Sequence, residues 1–191
     1  MEQCWAPVSE ELRSGLLALP CLLSIATQVA SALHYLHDRS IQHGAVDIAN
    51  VYLADPPTAE TATAKLTNFA QARRFHRDDE ITADICGLGA LAYNLFVKKR
   101  GDALSPQQLA KFGFGILELN IEFKVPEIGL LLQCIFTRRY TSSKEVAQKF
   151  ADLQASYRRK AAALLEAPQP APRVPSSESI FASQESAEPY S

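Results

Sequence analysis

The feature that most constrains this fold is an uncharged run over residues 16–33. Such a run can be a membrane span, a secretory signal or a buried helix of a globular protein. Apolar residues within the run and just after it recur at three- and four-residue steps, which places them on one helical face: Leu22, Ile25, Val29, Leu33 and Leu36. We therefore predict an amphipathic core helix over 20–38 that begins at Pro20.

A secretory signal is the alternative for the same run, because residues 29–33, Val-Ala-Ser-Ala-Leu, resemble a signal-peptidase site after an apolar stretch. The residues before it are acidic, namely Glu2, Glu10 and Glu11, whereas a signal peptide begins with basic residues. Polar Gln28 also interrupts the run. We therefore expect a cytoplasmic protein without a membrane span.

Composition narrows the class of protein. The chain has 191 residues, 47% of them hydrophobic, which predicts one domain with a tail. A net charge of -2 gives no reason to expect nucleic acid or an anionic membrane as partner. The cysteines are scattered without a Cys-x-x-Cys pair, so we expect reduced thiols and no metal site: Cys4, Cys21, Cys86 and Cys134.

The rest of the pattern is mainly helical with one small hairpin. Alternation and turn residues predict strands at 51–53 and 64–67, separated by Asp55-Pro-Pro57. Periodicity predicts further helices at 9–19, 85–96 and 127–136. The helix at 85–96 ends in the residues 98–101, and another helix begins at 105–106. A last helix begins with a capping box at 142–145 and continues through 157. Residues 161–191 turn to Pro, Ser, Glu and Gln, most clearly from 167, and predict a disordered tail.

Two short motifs then stand out, His43-Gly-Ala-Val-Asp-Ile-Ala-Asn50 and Lys65-Leu-Thr-Asn-Phe-Ala70. Together they resemble the catalytic loop and the metal-binding turn of protein kinases, His-Arg-Asp with a later Asn, then Asp-Phe-Gly. The resemblance implies a protein-kinase-like C-lobe over 9–160, a hinge-like segment at 1–8, and no β-rich N-lobe in this chain.

The resemblance also implies roles for five residues. His43 is the loop histidine, a structural residue, and Asn50 stands where the family has its metal-ligand asparagine. Phe69 stands at the Phe of Asp-Phe-Gly. Asp84 opens the central helix and ties down the catalytic-loop backbone. Arg139 matches an arginine that pairs with a glutamate below the activation segment, and Glu80 is a substitute partner whose spacing favours a surface charge instead.

The residues that carry the chemistry are replaced. Ala45 stands where the family has the aspartate that accepts the substrate proton, and Asn68 replaces the metal-binding aspartate. Asp47 occupies the slot of a phosphate-contacting lysine, where its charge would repel a phosphoryl group. Asn50 and Asn68 are therefore only vestigial cofactor-binding positions, and we expect weak or absent binding of ATP and Mg²⁺.

Two glycine pairs lie within predicted helices or beside them, Gly87-Leu-Gly89 and Gly113-Phe-Gly115. Neither has the third glycine of a phosphate-binding loop, so close helix packing or a turn is their expected role.

These observations predict a catalytically inactive kinase-like domain, a pseudokinase, that acts as a binding, scaffold or regulatory module in signalling. The expected partner is a protein such as an active kinase or another signalling protein, with self-association through the N-lobe-facing surface. Two alternatives stay open: a divergent Ser/Thr or Tyr protein kinase whose N-lobe is missing from this chain, and an unrelated helical interaction module.

Overall fold

The structure is a computed structural model, and it describes residues 4–15, 17–58, 61–97, 108–109 and 124–166. Four predicted features lie outside the described residues: the helix end at 98–101, the helix start at 105–106, the glycine pair at 113–115 and the tail at 167–191.

The described part is mainly helical, so the predicted mainly α class is confirmed. Its α-helices are α1 (Val8–Ser14), α2 (Leu19–His37), α3 (Thr82–Phe96), α4 (Pro126–Phe136) and α5 (Ser143–Glu166). Its strands are β1 (Ala6–Pro7), β2 (Ile41–Gln42), β3 (Val51–Leu53), β4 (Ala64–Leu66) and β5 (Arg73–Arg74).

Helix α2 lies at the centre and packs against α5, α3 and β4. The predicted apolar face is buried at Leu22, Ile25, Val29 and Leu33. By length and composition alone α2 could cross a bilayer, but half of its apolar window is buried inside the fold. Hydrogen bonds account for the polar residue Gln28 on this helix. Its side-chain amide donates to the Ala62 carbonyl (2.7 Å) and accepts from the Ala64 amide (2.9 Å).

The strands form a three-stranded antiparallel sheet in the order β1-β3-β4 and a two-stranded ribbon, β2-β5. The predicted hairpin is the β3-β4 pair, with Val51 opposite Leu66. The hinge-like segment supplies β1, where Ala6 lies opposite Leu53. Strands of two residues have no alternation to detect, so the sequence pattern did not predict β1 or the ribbon.

Two boundaries differ from the sequence prediction. Helix α1 ends at Ser14 rather than at residue 19, because Gly15 adopts a left-handed conformation with φ of 76°. At the other end α5 continues to Glu166, past residue 157 where the predicted helix ends, and its last turns expose Leu164 and Leu165. The Ser142 hydroxyl accepts from the Lys144 amide (3.2 Å), so the predicted cap is present where this helix begins.

The Gly87–Gly89 pair serves close packing, as predicted. A Cβ at Gly87 would lie 2.6 Å from the Val46 carbonyl oxygen, so α3 sits directly against the loop that follows β2. A Cβ at Gly89 would lie 2.9 Å from the Cγ2 of Ile135 on α4. These two contacts fix α3 between the loop and the C-terminal helices.

Candidate functional site

The candidate site is the loop at 43–50, between β2 and β3, together with the turn at 68–70 that follows β4. Pairing of β3 with β4 brings the two segments side by side, because Val51 lies opposite Leu66. The β2-β5 ribbon closes the other end, with Gln42 opposite Arg73. The site is thus framed by backbone pairing on both sides.

Asp84 holds the loop in place from its buried side. Its side chain is buried, 1% exposed, in the first turn of α3. The two carboxylate oxygens accept hydrogen bonds from consecutive backbone amides, Oδ2 from His43 (2.7 Å) and Oδ1 from Gly44 (2.8 Å). A buried carboxylate that accepts such bonds holds the backbone strongly, because either amide would otherwise be left unsatisfied.

His37 is a second partner of Asp84 that sequence reasoning did not single out as a site residue. Its Nε2 lies 3.0 Å from the Asp84 Oδ2, and its ring meets Phe75 edge-on at 5.9 Å between centroids. Its Nδ1 has no hydrogen-bond partner among the described residues. The detectable signal was a histidine four residues after Leu33, in step with the apolar face of the helix.

His43 joins the loop to the turn. The ring is fully buried, with Nε2 3.0 Å from the Thr67 carbonyl and Nδ1 accepting from the Ala45 amide at 3.2 Å. The tautomer with a proton on Nε2 satisfies both contacts. Because both ring nitrogens are used inside the fold, neither is available to a substrate.

Asn50 and Asn68 bond to each other at the outer side of the site. The Asn68 Nδ2 donates to the Asn50 Oδ1 at 3.1 Å, while the Asn50 Nδ2 donates to the Ala45 carbonyl at 2.8 Å. Asn68 adopts a left-handed backbone conformation with φ of 62°, which asparagine tolerates better than most residues. The side-chain oxygen of Asn50 thus already receives a hydrogen bond from a neutral amide.

The one carboxylate within the loop, that of Asp47, forms a hydrogen bond inside the loop itself. Asp47 Oδ1 accepts from the Ala49 amide at 2.9 Å and caps the 3₁₀ turn at Ile48–Asn50. Ala45 offers no side-chain acceptor. Gly44 has φ of 77°, and a Cβ there would lie 2.8 Å from the Gln71 carbonyl oxygen, so this position excludes a larger side chain such as arginine.

The remaining predicted residues lie apart from this cluster or at its edge. Phe69 is 49% exposed and touches the His43 ring edge-on at 4.9 Å. Arg139 is exposed between α4 and α5. Glu80 Oε1 accepts from the backbone amides of His76 and Arg77, and no ion pair joins Glu80 to Arg139 in the described part of the chain.

The described residues contain no group of three or more His, Cys, Asp or Glu side chains that could hold a metal ion. Burial raises the pKa of the Cys86 thiol on α3, and the charge of Arg138 partly opposes that rise. The site thus has a buried, hydrogen-bonded inner side, formed by Asp84 and His43, and an outer side of neutral amides and an aromatic ring.

Comparison with known proteins adds one finding. Residues 3–93 match the family model described as protein tyrosine and serine/threonine kinase. The matched range includes the 43–50 loop, the 68–70 turn and Asp84, and it supports a protein kinase-like superfamily for this chain. The search of curated proteins gave no match.

Proposed function

We propose that this chain is the C-lobe of a pseudokinase, a kinase-like domain that does not transfer phosphate and acts by binding. The observation that carries the proposal is the hydrogen bond from the Asn68 amide to the Asn50 side-chain oxygen, next to Ala45. At the two positions where a kinase uses carboxylates, this chain has Ala45, which has no polar side chain, and Asn68, a neutral amide bonded to Asn50.

Phosphoryl transfer depends on a residue that positions the nucleophile and on Mg²⁺ that neutralises charge on the phosphates. Magnesium prefers anionic oxygen ligands. The residues present do not fit a magnesium–nucleotide complex, because Asn68 is neutral where a kinase has its metal-binding aspartate and Asp47 caps its own turn. We therefore expect neither ATP nor Mg²⁺ to bind with functional affinity.

A binding role needs exposed side chains that suit a partner, and two exposed aromatic residues support it. Trp5, 58% exposed, precedes β1 and its amide donates to the Leu53 carbonyl, while Phe69, 49% exposed, follows β4. Exposed aromatic residues are typical of protein interfaces. The proposed partner is a protein, such as an active kinase or another cytoplasmic signalling protein, or a second copy of this chain at its N-lobe-facing surface.

A phosphoryl-transfer assay with labelled ATP and the purified full chain tests the proposal. We expect no transfer above a protein-free control, with or without Mg²⁺. The informative variants are Asp47→Ala, in the loop, and Asp55→Ala, an exposed aspartate after β3. Transfer that disappears in the first variant and persists in the second would overturn the proposal.

A divergent kinase is the second candidate, and the family match favours it because that model describes kinases. Such a kinase would take its N-lobe from sequence not included in this chain. Thermal denaturation of the longer protein with ATP, with and without Mg²⁺, separates the two: a magnesium-dependent rise in the melting temperature supports the kinase. The third candidate, an unrelated helical module, has less support because the β3-β4 hairpin lies beside His43.

A further inference from the structure

A groove lies between α4 and α5, on a part of the molecule separate from the candidate site. It is open to solvent and encloses about 450 Å³. Apolar and small side chains form its floor, one set from each helix and Tyr140 from the turn between them: Leu130, Leu131, Cys134, Leu153 and Ser156. Leu130 is 60% exposed, so apolar surface stands uncovered here.

Some of the charged side chains at the edge of the groove have an oppositely charged partner among the described residues and others do not. Glu127 pairs with Lys160 at 3.4 Å, and Asp152 accepts a hydrogen bond from Gln148 at 2.9 Å. Lys149 and Arg159 make no ion pair in the described part of the chain. Asp152 keeps its negative charge, because Gln148 is neutral. With Glu127 and Lys160 paired, the unpaired charges of the described residues at the edge are two positive and one negative, so the groove has an apolar floor and a net positive edge, which suits a segment that is apolar and acidic.

Such a segment exists in the same chain. Residues 176–191 contain Glu178, Glu185 and Glu188 and no lysine or arginine, and they include the apolar pair Ile180-Phe181. We propose that this tail segment docks in the α4–α5 groove of its own chain. Ile180 and Phe181 cover the leucines, and the glutamates face Lys149 and Arg159.

The length of the connecting chain permits this contact. Helix α5 ends at Glu166, and at about 1.5 Å per residue Ser156 lies roughly 15 Å back along the helix. The proline-containing connection at 167–179 can span roughly 40 Å at about 3.1 Å per residue. A short tether also gives the segment an effective concentration on the order of millimolar, which favours its own groove over that of a second molecule.

Cys134 provides a native reporter, because this half-buried thiol lines the groove. The experiment measures the alkylation rate of each cysteine in the full chain by mass spectrometry, with Cys4 as the reference thiol. The double variant Ile180→Ser/Phe181→Ser removes the proposed apolar anchor. Val174→Ser is the matched control, because it removes an apolar side chain from the connecting segment only.

We expect the double variant to raise the Cys134 rate about fivefold, the value for a groove that is about 80% occupied, with Cys4 unchanged. Val174→Ser should match the wild-type chain. Equal Cys134 rates in all three proteins would overturn the proposal. Protection that grows with protein concentration would also overturn it, because the occupant would then belong to a second copy.

Charge variants test the same contact independently. Lys149→Glu should raise the Cys134 rate, whereas Lys144→Glu, exposed on the same helix but outside the groove, should not. Adding Glu178→Lys to Lys149→Glu should restore part of the protection. Equal rates for the Lys149 and Lys144 variants would count against the acidic tail as occupant. Far-ultraviolet circular dichroism confirms that each variant is folded.

Discussion

The inner and outer sides of the 43–50 loop differ in how their polar groups are held. On the inner side, Asp84 and His43 are buried and bonded to backbone amides and carbonyls. On the outer side, Asn68 and Phe69 are exposed, and Asn50 is half-buried. The inner contacts are those that the loop needs to keep its shape, and the outer positions are those to which the proposed function assigns the former metal and substrate contacts.

The residues that hold the loop in place are therefore different from those at its outer side. The loop keeps its path without carboxylates at positions 45 and 68, because the Asn50 amide holds the Ala45 carbonyl and Asp84 holds the two amides before it. Neutral side chains at the outer positions therefore cost the fold little, whereas loss of Asp84 should cost it much. The predictions below test this contrast in order of expected size.

Asp84→Ala should have the largest effect, because it leaves two backbone amides and the His37 Nε2 without their acceptor. We expect the free energy of unfolding to fall by about 3–5 kcal/mol, measured by urea denaturation. Asp79→Ala is the control, since its ion pair with Arg77 is exposed and should contribute less than about 1 kcal/mol. Similar losses in the two variants would contradict the contrast.

Gly87→Ala should rank second. The new Cβ would lie 2.6 Å from the Val46 carbonyl oxygen, and backbone on both sides limits relaxation. We expect a loss of about 1–3 kcal/mol in the free energy of unfolding. Gly89→Ala should cost less, because its nearest contacts are side-chain atoms of Ile135 and Phe136, which can move. The reverse order would show that α3 is not seated on the loop backbone.

Asn68→Ala tests the outer side. It removes the bond to the Asn50 Oδ1 and leaves alanine with φ near 62°, so we expect a loss of about 1 kcal/mol. Asn68→Gly, which accepts this backbone conformation, should fall within about 0.5 kcal/mol of the wild-type chain. Chemical denaturation of both variants measures the difference, and a loss as large as that of Asp84→Ala would remove the distinction between the two sides.

The smallest effect concerns Glu127, an exposed carboxylate in the first turn of α4. A hydrogen bond from its own backbone amide lowers its pKa below the ordinary value for glutamate, slight burial opposes this shift, and the contacts with Lys160 add to it. A carboxylate whose pKa is lowered by folding stabilises the protein above its unfolded-state pKa and loses that contribution as the pH falls. The small stability gap between Glu127→Gln and the wild-type chain should therefore shrink on acidification, as followed by denaturation at stepped pH. A gap independent of pH would contradict this.

Local pattern was enough to predict α2 and its buried face, since one helical stripe with Leu22, Val29 and Leu33 needs little tertiary context. The hairpin followed from alternation and the break at Asp55-Pro-Pro57. The approach of Asp84 to the loop came only from the family resemblance, because the contact spans 41 residues.

Other features could not be read from local pattern. The β2-β5 ribbon has strands of two residues, too short to alternate. The contact between His37 and Asp84 and the bond between Asn68 and Asn50 depend on which segments the fold brings together. The α4–α5 groove arises from the relative placement of two helices, each of which the sequence predicts separately.

The clamp that Gln28 makes on the chain at Ala62 and Ala64 has a consequence for aggregation. These two backbone groups point away from β3, so the helix side chain occupies hydrogen-bonding sites that another strand would use. The opposite edge of the sheet is β1, which contains Pro7 and therefore lacks one amide donor. Both outer strands are thereby made poor templates for intermolecular strand pairing, the route by which small sheets grow into fibrils.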